Sequence, residues 1–200
     1  YMREFPRHVI ALNVPEKGKS RALNHALSVS RGEVIAFTDD DVIFAPDYLQ
    51  GIRKTFSDSS VGAAQGRVFI DFDGPRPPWF TRELTSFFGA VDLGDRLVDF
   101  HRNLFGGNML VRREAIAQVG GFSPEIGPGM PIAFREDAEL SRRIFQGGFR
   151  VVYAPAILVR NEIVSARLDP KYVVKRHFWD GRAEAYLQAF LSGRERGDLE

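Results

Sequence analysis

The sequence predicts an α/β protein, with helices packed on both faces of a mostly parallel β-sheet. Three observations carry that expectation. Short apolar runs of strand length alternate with segments whose apolar residues recur at helical spacing. Glycine and proline mark the joints between them. The apolar run Val34–Phe37 leads into three successive carboxylates, Asp39, Asp40 and Asp41. In open α/β sheets, ligands bind at such strand ends.

The elements follow in order. Val9–Val14 reads as a strand before a Pro-Gly turn region. From Lys19 to Val29, Ala22, Leu23, Ala26 and Leu27 share one helical stripe. Gly32 ends that segment, and Val34–Phe37 reads as a fully buried strand. Pro46 suits the first turn of a helix with an apolar face of Leu49, Ile52 and Phe56. Val61–Ala64 and Arg67–Phe72 read as two strands, and Gly74–Trp79 as a proline-rich loop. The pattern over Phe87–Phe100 matches neither template. Asn108–Val111 reads as a strand, and Arg113–Val119 as a helix stopped by Gly120 and Gly121. Ser123–Phe134 holds three prolines and two glycines and reads as a loop. Glu136–Gln146 is a helix closed by Gly147 and Gly148, and Val151–Tyr153 and Ile157–Val159 are short strands around Pro155. Pro170 opens a helical region reaching Leu191.

Composition narrows the function classes. The 200 residues suffice for one sizeable domain, and a net charge of +1 gives no global field for nucleic acid. Without cysteine there are no disulfides and no thiolate zinc sites. This composition fits a reducing compartment, so the expectation is a cytoplasmic protein, with any membrane contact at the cytoplasmic face. No apolar run approaches the ~18 residues of a membrane span.

Two carboxylate sites carry the chemistry. A solvated turn is the simple account of Asp39–Asp41. Electrostatics argue for more, since two carboxylates ~4 Å apart repel by about 4 kcal/mol near a protein surface. A cation removes that cost, and oxygen ligands favour Mg²⁺ or Mn²⁺. In extended chain Asp39 and Asp41 point to one side and Asp40 to the other, which makes a D-x-D pair. The second site is Glu136 and Asp137, in the first turn of their helix. Leu140 and Ile144 share the face of Asp137, so that carboxylate is aimed at the rim of the core. Acidic residues in a first turn also serve merely as dipole partners. Toward the C-terminus, His177, Phe178 and Trp179 suit either stacking on a sugar or a packed helix face. Lys171, Lys175, Arg176 and Arg182 make this end basic, which suits anionic lipid or a lipid-diphosphate acceptor, although a merely solvated helix face is the simpler account.

The segments "GKSRALNHAL", "GEVIAFTDDDV", "FGGNMLVRREAIAQVGGF" and "REDAELSRRIFQGGFRVVYAP" resemble family 2 glycosyltransferases of the GT-A fold, in that family's order. The resemblance covers most of Gly18 to Pro155. It implies a three-layer sandwich, a nucleotide-sugar donor and a divalent cation, Mg²⁺ or Mn²⁺, on Asp39 and Asp41. It implies inverting single displacement with Asp137 as catalytic base. Gly18, Arg21, Asn24, Asp39 and Asp40 fall on the donor side; Gly107, Asn108, Glu136 and Trp179 are assigned to the acceptor side, where a glycan or lipid-linked acceptor would bind.

Two departures stand out. Family members begin with two βα units that this sequence does not show, so it reads as a partial GT-A domain over 1–165, followed by a helical extension over 166–200. Such a fragment is expected to be inactive alone. Many members also carry a histidine near the place of Asn161. The competing readings are a non-catalytic GT-A module that has lost donor binding, and another Mg²⁺-dependent nucleotide-using transferase.

Overall fold

A computed structural model describes residues 9–164 and 167–191. The elements are α1 (Lys19–Val29), β1 (Val34–Thr38), β2 (Val42–Phe44), α2 (Tyr48–Phe56), β3 (Val61–Phe72), α3 (Arg82–Phe87), β4 (Val98–Asp99), β5 (Asn108–Arg112), α4 (Arg113–Val119), α5 (Glu136–Gln146), β6 (Arg150–Ile163) and α6 (Pro170–Leu191). The sheet runs β1-β5-β3-β6-β2, with β4 on a separate stretch of β6.

The sheet is buried on both faces, and the alternation of side chains shows it. Ala63, Met109, Val111, Val151 and Tyr153 meet Leu140 and Ile144 of α5 and Ala115 of α4 on one face. Their neighbours in sequence, Ala64, Leu110 and Val152, meet Tyr48 and Phe56 of α2 on the other. This is the period of two that a covered sheet demands. Helix α6 adds to the body at two places. Val173 joins Phe80, Phe88 and Ile163; Ala183 and Leu187 join Ile126, Ile132 and Ala138.

Several expectations are corrected. The sheet is not mostly parallel: among the described ladders β3·β6 alone is parallel, and β1·β5, β3·β5, β2·β6 and β4·β6 are antiparallel. Alternating strands and helices suggest parallel crossovers, but β5 inserts antiparallel between β1 and β3, a pairing no local pattern encodes. Val9–Val14 forms no strand, and Val9 and Ile10 are exposed. In β1 only Phe37 is buried, because β1 is paired on one side alone among the described residues. Leu49 is 73% exposed; α2 instead buries Tyr48, Gly51, Thr55 and Phe56, one position earlier in phase. The two pairs of short strands are single long strands, β3 and β6.

Those long strands break register together. The ladder steps from Gly66↔Ala154 to Arg67↔Leu158, so Pro155, Ala156 and Ile157 have no partner on β3. Proline cannot donate to a ladder, and such a break bends a sheet. The bend is required by the chain path. In a flat sheet β1 and β2 would stand four ladder spacings apart, about 19 Å. Thr38 to Val42 can span at most about 14 Å. Asp39, Asp40 and Asp41 are the link that makes this crossing.

Asn108 staples the break. Its Nδ2 donates to the carbonyls of Arg67 (3.0 Å) and Ile157 (2.9 Å), which the broken ladder leaves over. Its Oδ1 accepts from the Tyr48 hydroxyl at 3.0 Å. Burial pushes the Tyr48 phenol up to about 12, so it stays a donor. Gly66 leaves the room: a Cβ there would lie 2.0 Å from Asn108 Nδ2. The Asn108 amide, expected to face an acceptor, is thus fully buried and fully used within the sheet.

Asn108→Ala strands the buried Ile157 carbonyl, the part-buried Arg67 carbonyl and the buried Tyr48 hydroxyl. At about 1–3 kcal/mol for each unsatisfied group, urea unfolding is expected to show a loss of at least about 3 kcal/mol. A loss below about 1 kcal/mol would mean that water replaces the staple.

Candidate active site

Two helix starts, a strand end and a glycine loop converge. Helix α1 begins at Gly18, whose φ of 122° no side-chain-bearing residue adopts readily. A Cβ there would also meet Met130 Sδ at 2.7 Å. The loop 126–130 ties this start down: Lys19 N–H donates to the Pro128 carbonyl (3.1 Å), and the Ser20 hydroxyl donates to that of Ile126. The same loop passes Glu136, since a Cβ on Gly127 would lie 3.3 Å from Glu136 Cβ. Helix α5 starts from Arg135, whose φ of 79° is the one positive value among described non-glycine residues. Its guanidinium is held by Asp180 of α6 at 2.6 Å.

The loop before β5 is held at three successive backbone N–H groups. Leu104 donates to Ser141 Oγ (2.9 Å), Phe105 to Gln65 Oε1 (2.7 Å) and Gly106 to Asp137 Oδ2 (2.9 Å). Gly106 and Gly107 let this backbone come close to two carboxylates. A Cβ on Gly106 would sit 3.4 Å from Asp137 Oδ2, and one on Gly107 3.3 Å from Asp39 Oδ2. Asp39 and Asp137, far apart in sequence, therefore flank one dipeptide and line one pocket with Lys19, Thr38, Gly106 and Glu136.

Lys19 lies between the acids. Its Nζ is 3.2 Å from Glu136 Oε1 and 3.5 Å from Asp39 Oδ1. Burial works to lower the ammonium's pKa, but the charges of Glu136 and Asp39 outweigh it and hold it above the ordinary lysine value. Glu136 is 6% exposed. Burial and the neighbouring Asp137 raise its pKa against the pull of Lys19. Burial also raises that of Asp137, opposed by the N–H groups of Gly106 and Ala138 and by the Lys19 and Arg135 charges. A carboxyl poised above its usual range and held by two backbone donors is suited to general-base work.

The other expected residues are distributed as follows. Asp40 is exposed in the turn. Asp41 follows Asp40 in the turn of residues 40–41. Its Oδ2 accepts from Arg167 at 3.2 Å, and its Oδ1 is buried without a hydrogen-bond partner. Asn161 Oδ1 is likewise buried without one. Arg21 is exposed on α1. The Asn24 amide is exchanged with the Phe122 backbone, donating and accepting at 2.8 Å, so it fastens α1 rather than reaching the pocket. Trp179 lies on α6, 38% exposed and outside the pocket lining. His177 stacks on Phe87, with ring centroids 3.6 Å apart, so that part of the aromatic run is packing. Lys19 and Gly106 went unnoticed in the sequence. The signal was a lysine beside the glycine that opens α1, and the doubled glycine before Asn108.

Comparison with known proteins identifies the family and the fold. The model of glycosyl transferase family group 2 matches residues 34–187. Glucosyl-dolichyl phosphate glucuronosyltransferase of Haloferax volcanii is 27% identical over 183 residues, which cover 90% of this chain and 58% of that protein. A mannosyltransferase of Pyrobaculum calidifontis, solved with GDP-Man and Mn²⁺, superposes with a TM-score of 0.50 at 23% identity, over 73% of this chain and 36% of that one. GalNAc-T7, solved with UDP, GalNAc and Mn²⁺, superposes with a TM-score of 0.53 at 14% identity, over 73% and 30%. With more than half of its length matched by the family model, the chain belongs to glycosyl transferase family group 2, and its fold is that of the GT-A enzymes.

Proposed function

We propose that the chain carries the catalytic centre of a metal-dependent, inverting transferase that moves a sugar from a nucleotide-sugar donor to the hydroxyl of a glycan or lipid-linked acceptor. Polysaccharide, glycolipid or cell-envelope glycan synthesis is the expected setting, with peripheral membrane contact through the basic C-terminal region. The observation that carries the reading is the meeting of Asp39 and Asp137 at one pocket, on either side of Gly106 and Gly107.

Asp39 and Asp41 would hold Mg²⁺ or Mn²⁺. Among the described residues no three acidic or histidine groups converge as a complete cage. Two carboxylates still suit such an ion, which commonly completes its shell with substrate phosphates and water. The unpartnered, buried Oδ1 of Asp41 fits that use. When bound, the ion would neutralise charge developing on the leaving diphosphate, a Lewis-acid role worth several kcal/mol.

The chain's own residues do the rest. Asp137 takes the acceptor's proton as its oxygen attacks, a contribution of about 10²–10⁴-fold. The Gly106 N–H holds Oδ2 in place, and the start of α5 fixes the rotamer's base. Lys19 opposes the burial and the Asp137 charge that raise the Glu136 pKa, and so favours the ionised form of Glu136. Gly106 and Gly107 keep the space between the carboxylates free of side chains.

Three outcomes test this. In an enzyme that carries this domain together with the two preceding βα units that the resemblance implies, screened with nucleotide sugars and Mn²⁺ and followed by release of nucleoside diphosphate, Asp137→Asn is expected to lower kcat by about 10²–10⁴-fold while donor affinity stays near wild type. An equal loss of donor affinity would instead make Asp137 part of the nucleotide site. Calorimetric titration of Mn²⁺ in the presence of nucleoside diphosphate is expected to weaken by more than about 100-fold when Asp39 and Asp41 are both replaced by alanine, beyond what loss of a supporting residue costs; unchanged binding would remove the metal assignment.

The third outcome concerns pH. A base must be ionised, and the Asp137 carboxyl titrates above its ordinary value, so activity rises with pH through a limb above the usual carboxylate range. Lys19→Met removes a charge that lowers the pKa of both Asp137 and Glu136, so the limb moves to higher pH. A limb that stays put would show that the base lies elsewhere.

A further inference from the structure

Helix α6 divides its charges between two faces. At 100° per residue, Lys171, Val174, Lys175, Phe178 and Arg182 fall within an arc of about 100°. Val174 is 70% and Phe178 65% exposed, large apolar side chains left open to solvent, with the Phe178 ring edge-on to that of Trp179. Trp179 borders the arc, with the Arg182 guanidinium 5.4 Å from its ring centroid. Within residues 171–182 no acid lies on this arc. The acids of the helix point the other way: Asp180 holds Arg135 at 2.6 Å, and Glu184 holds Arg142 at 2.7 Å. That opposite side also carries the buried Val173, Ala183 and Leu187. Asp169, just before the helix, caps it by accepting the Lys171 N–H at 2.9 Å.

We propose that this face of α6 seats on an anionic lipid surface. The pattern is that of an interfacial helix, with Phe, Val and Trp entering the headgroup boundary and Lys and Arg reaching lipid phosphates around them. A merely solvated face does not explain Val174 and Phe178. A symmetric contact between two copies would bring Lys171, Lys175 and Arg182 against their own images. An anionic bilayer satisfies both the apolar side chains and the cations. This deepens the membrane contact of the reading above and does not need its transfer chemistry.

The test uses the whole chain with sedimenting vesicles and no nucleotide sugar, so its result is separate from any turnover assay. Phosphatidylcholine vesicles with phosphatidylglycerol are expected to bind the protein, and phosphatidylcholine alone is not, with binding falling as salt rises. Lys171→Gln with Lys175→Gln lowers the partition coefficient about 25-fold, near a surface where each cation is worth roughly fivefold. The chain has two tryptophans, so Trp79→Phe leaves Trp179 as a reporter, and its emission shifts to the blue on binding. Val174→Ser with Phe178→Ser weakens binding and abolishes that shift, while circular dichroism and melting stay as in wild type because both side chains are exposed. Three results would overturn the proposal: folded protein that binds neutral and anionic vesicles alike or not at all, binding unchanged in both double variants, or self-association in solution that the Ser pair abolishes, which would give the face to a second copy.

Discussion

The break in the β3·β6 ladder is the constraint on which the rest depends. Without it, Thr38 and Val42 could not belong to strands at opposite ends of the sheet order. A break of this kind leaves carbonyls without ladder partners, and the cost is met by one side chain, Asn108, bonded to Arg67, Ile157 and Tyr48. Gly66 and Pro155 suit the same place for complementary reasons. The first has no side chain to fill the gap that Asn108 needs, and the second has no N–H to leave unsatisfied. Because the bend is stapled, the three-residue link across it is held at both ends by paired strands. That is why aspartates there can be positioned at all.

Around the link, charge is balanced locally. Glu136 is nearly buried and Asp137 half-buried, an arrangement two adjacent carboxylates would not adopt alone. Lys19 supplies the opposing charge from α1, and Arg135 supplies another from the residue before. The backbone of the 104–106 loop adds a hydrogen bond rather than a charge. Such a cluster is costly to fold, since its carboxylates are desolvated and must be balanced by nearby charge and hydrogen bonds.

Helix α6 is part of this economy of charges. Its Asp180 and Glu184 anchor the two arginines, Arg135 and Arg142, that flank the first turns of α5. The left-handed backbone at Arg135 is a strained conformation, and strain of that kind persists where surrounding contacts over-determine it. The helix thus supports the start of α5 with one side and leaves a basic, apolar side outward.

What the sequence by itself determined is local. The bounds of α1, α4, α5 and α6 are those expected from apolar spacing and from the Gly and Pro punctuation, since helices are built from contacts three and four residues apart. The acid pair at the start of α5 and the aspartates after β1 were legible for the same reason. Tertiary structure alone decided what depends on distant pairing. It set the antiparallel directions of the sheet and joined the four short apolar runs into two long strands. It took Asn24 and Asn108 out of the pocket to satisfy backbone groups 98 and 41 positions away. It also chose the cations, Lys19 for Asp39 and Arg167 for Asp41. Polar side chains satisfy whichever partner the fold brings near, and a strand's period of two says which face a residue takes but not which strand lies beside it.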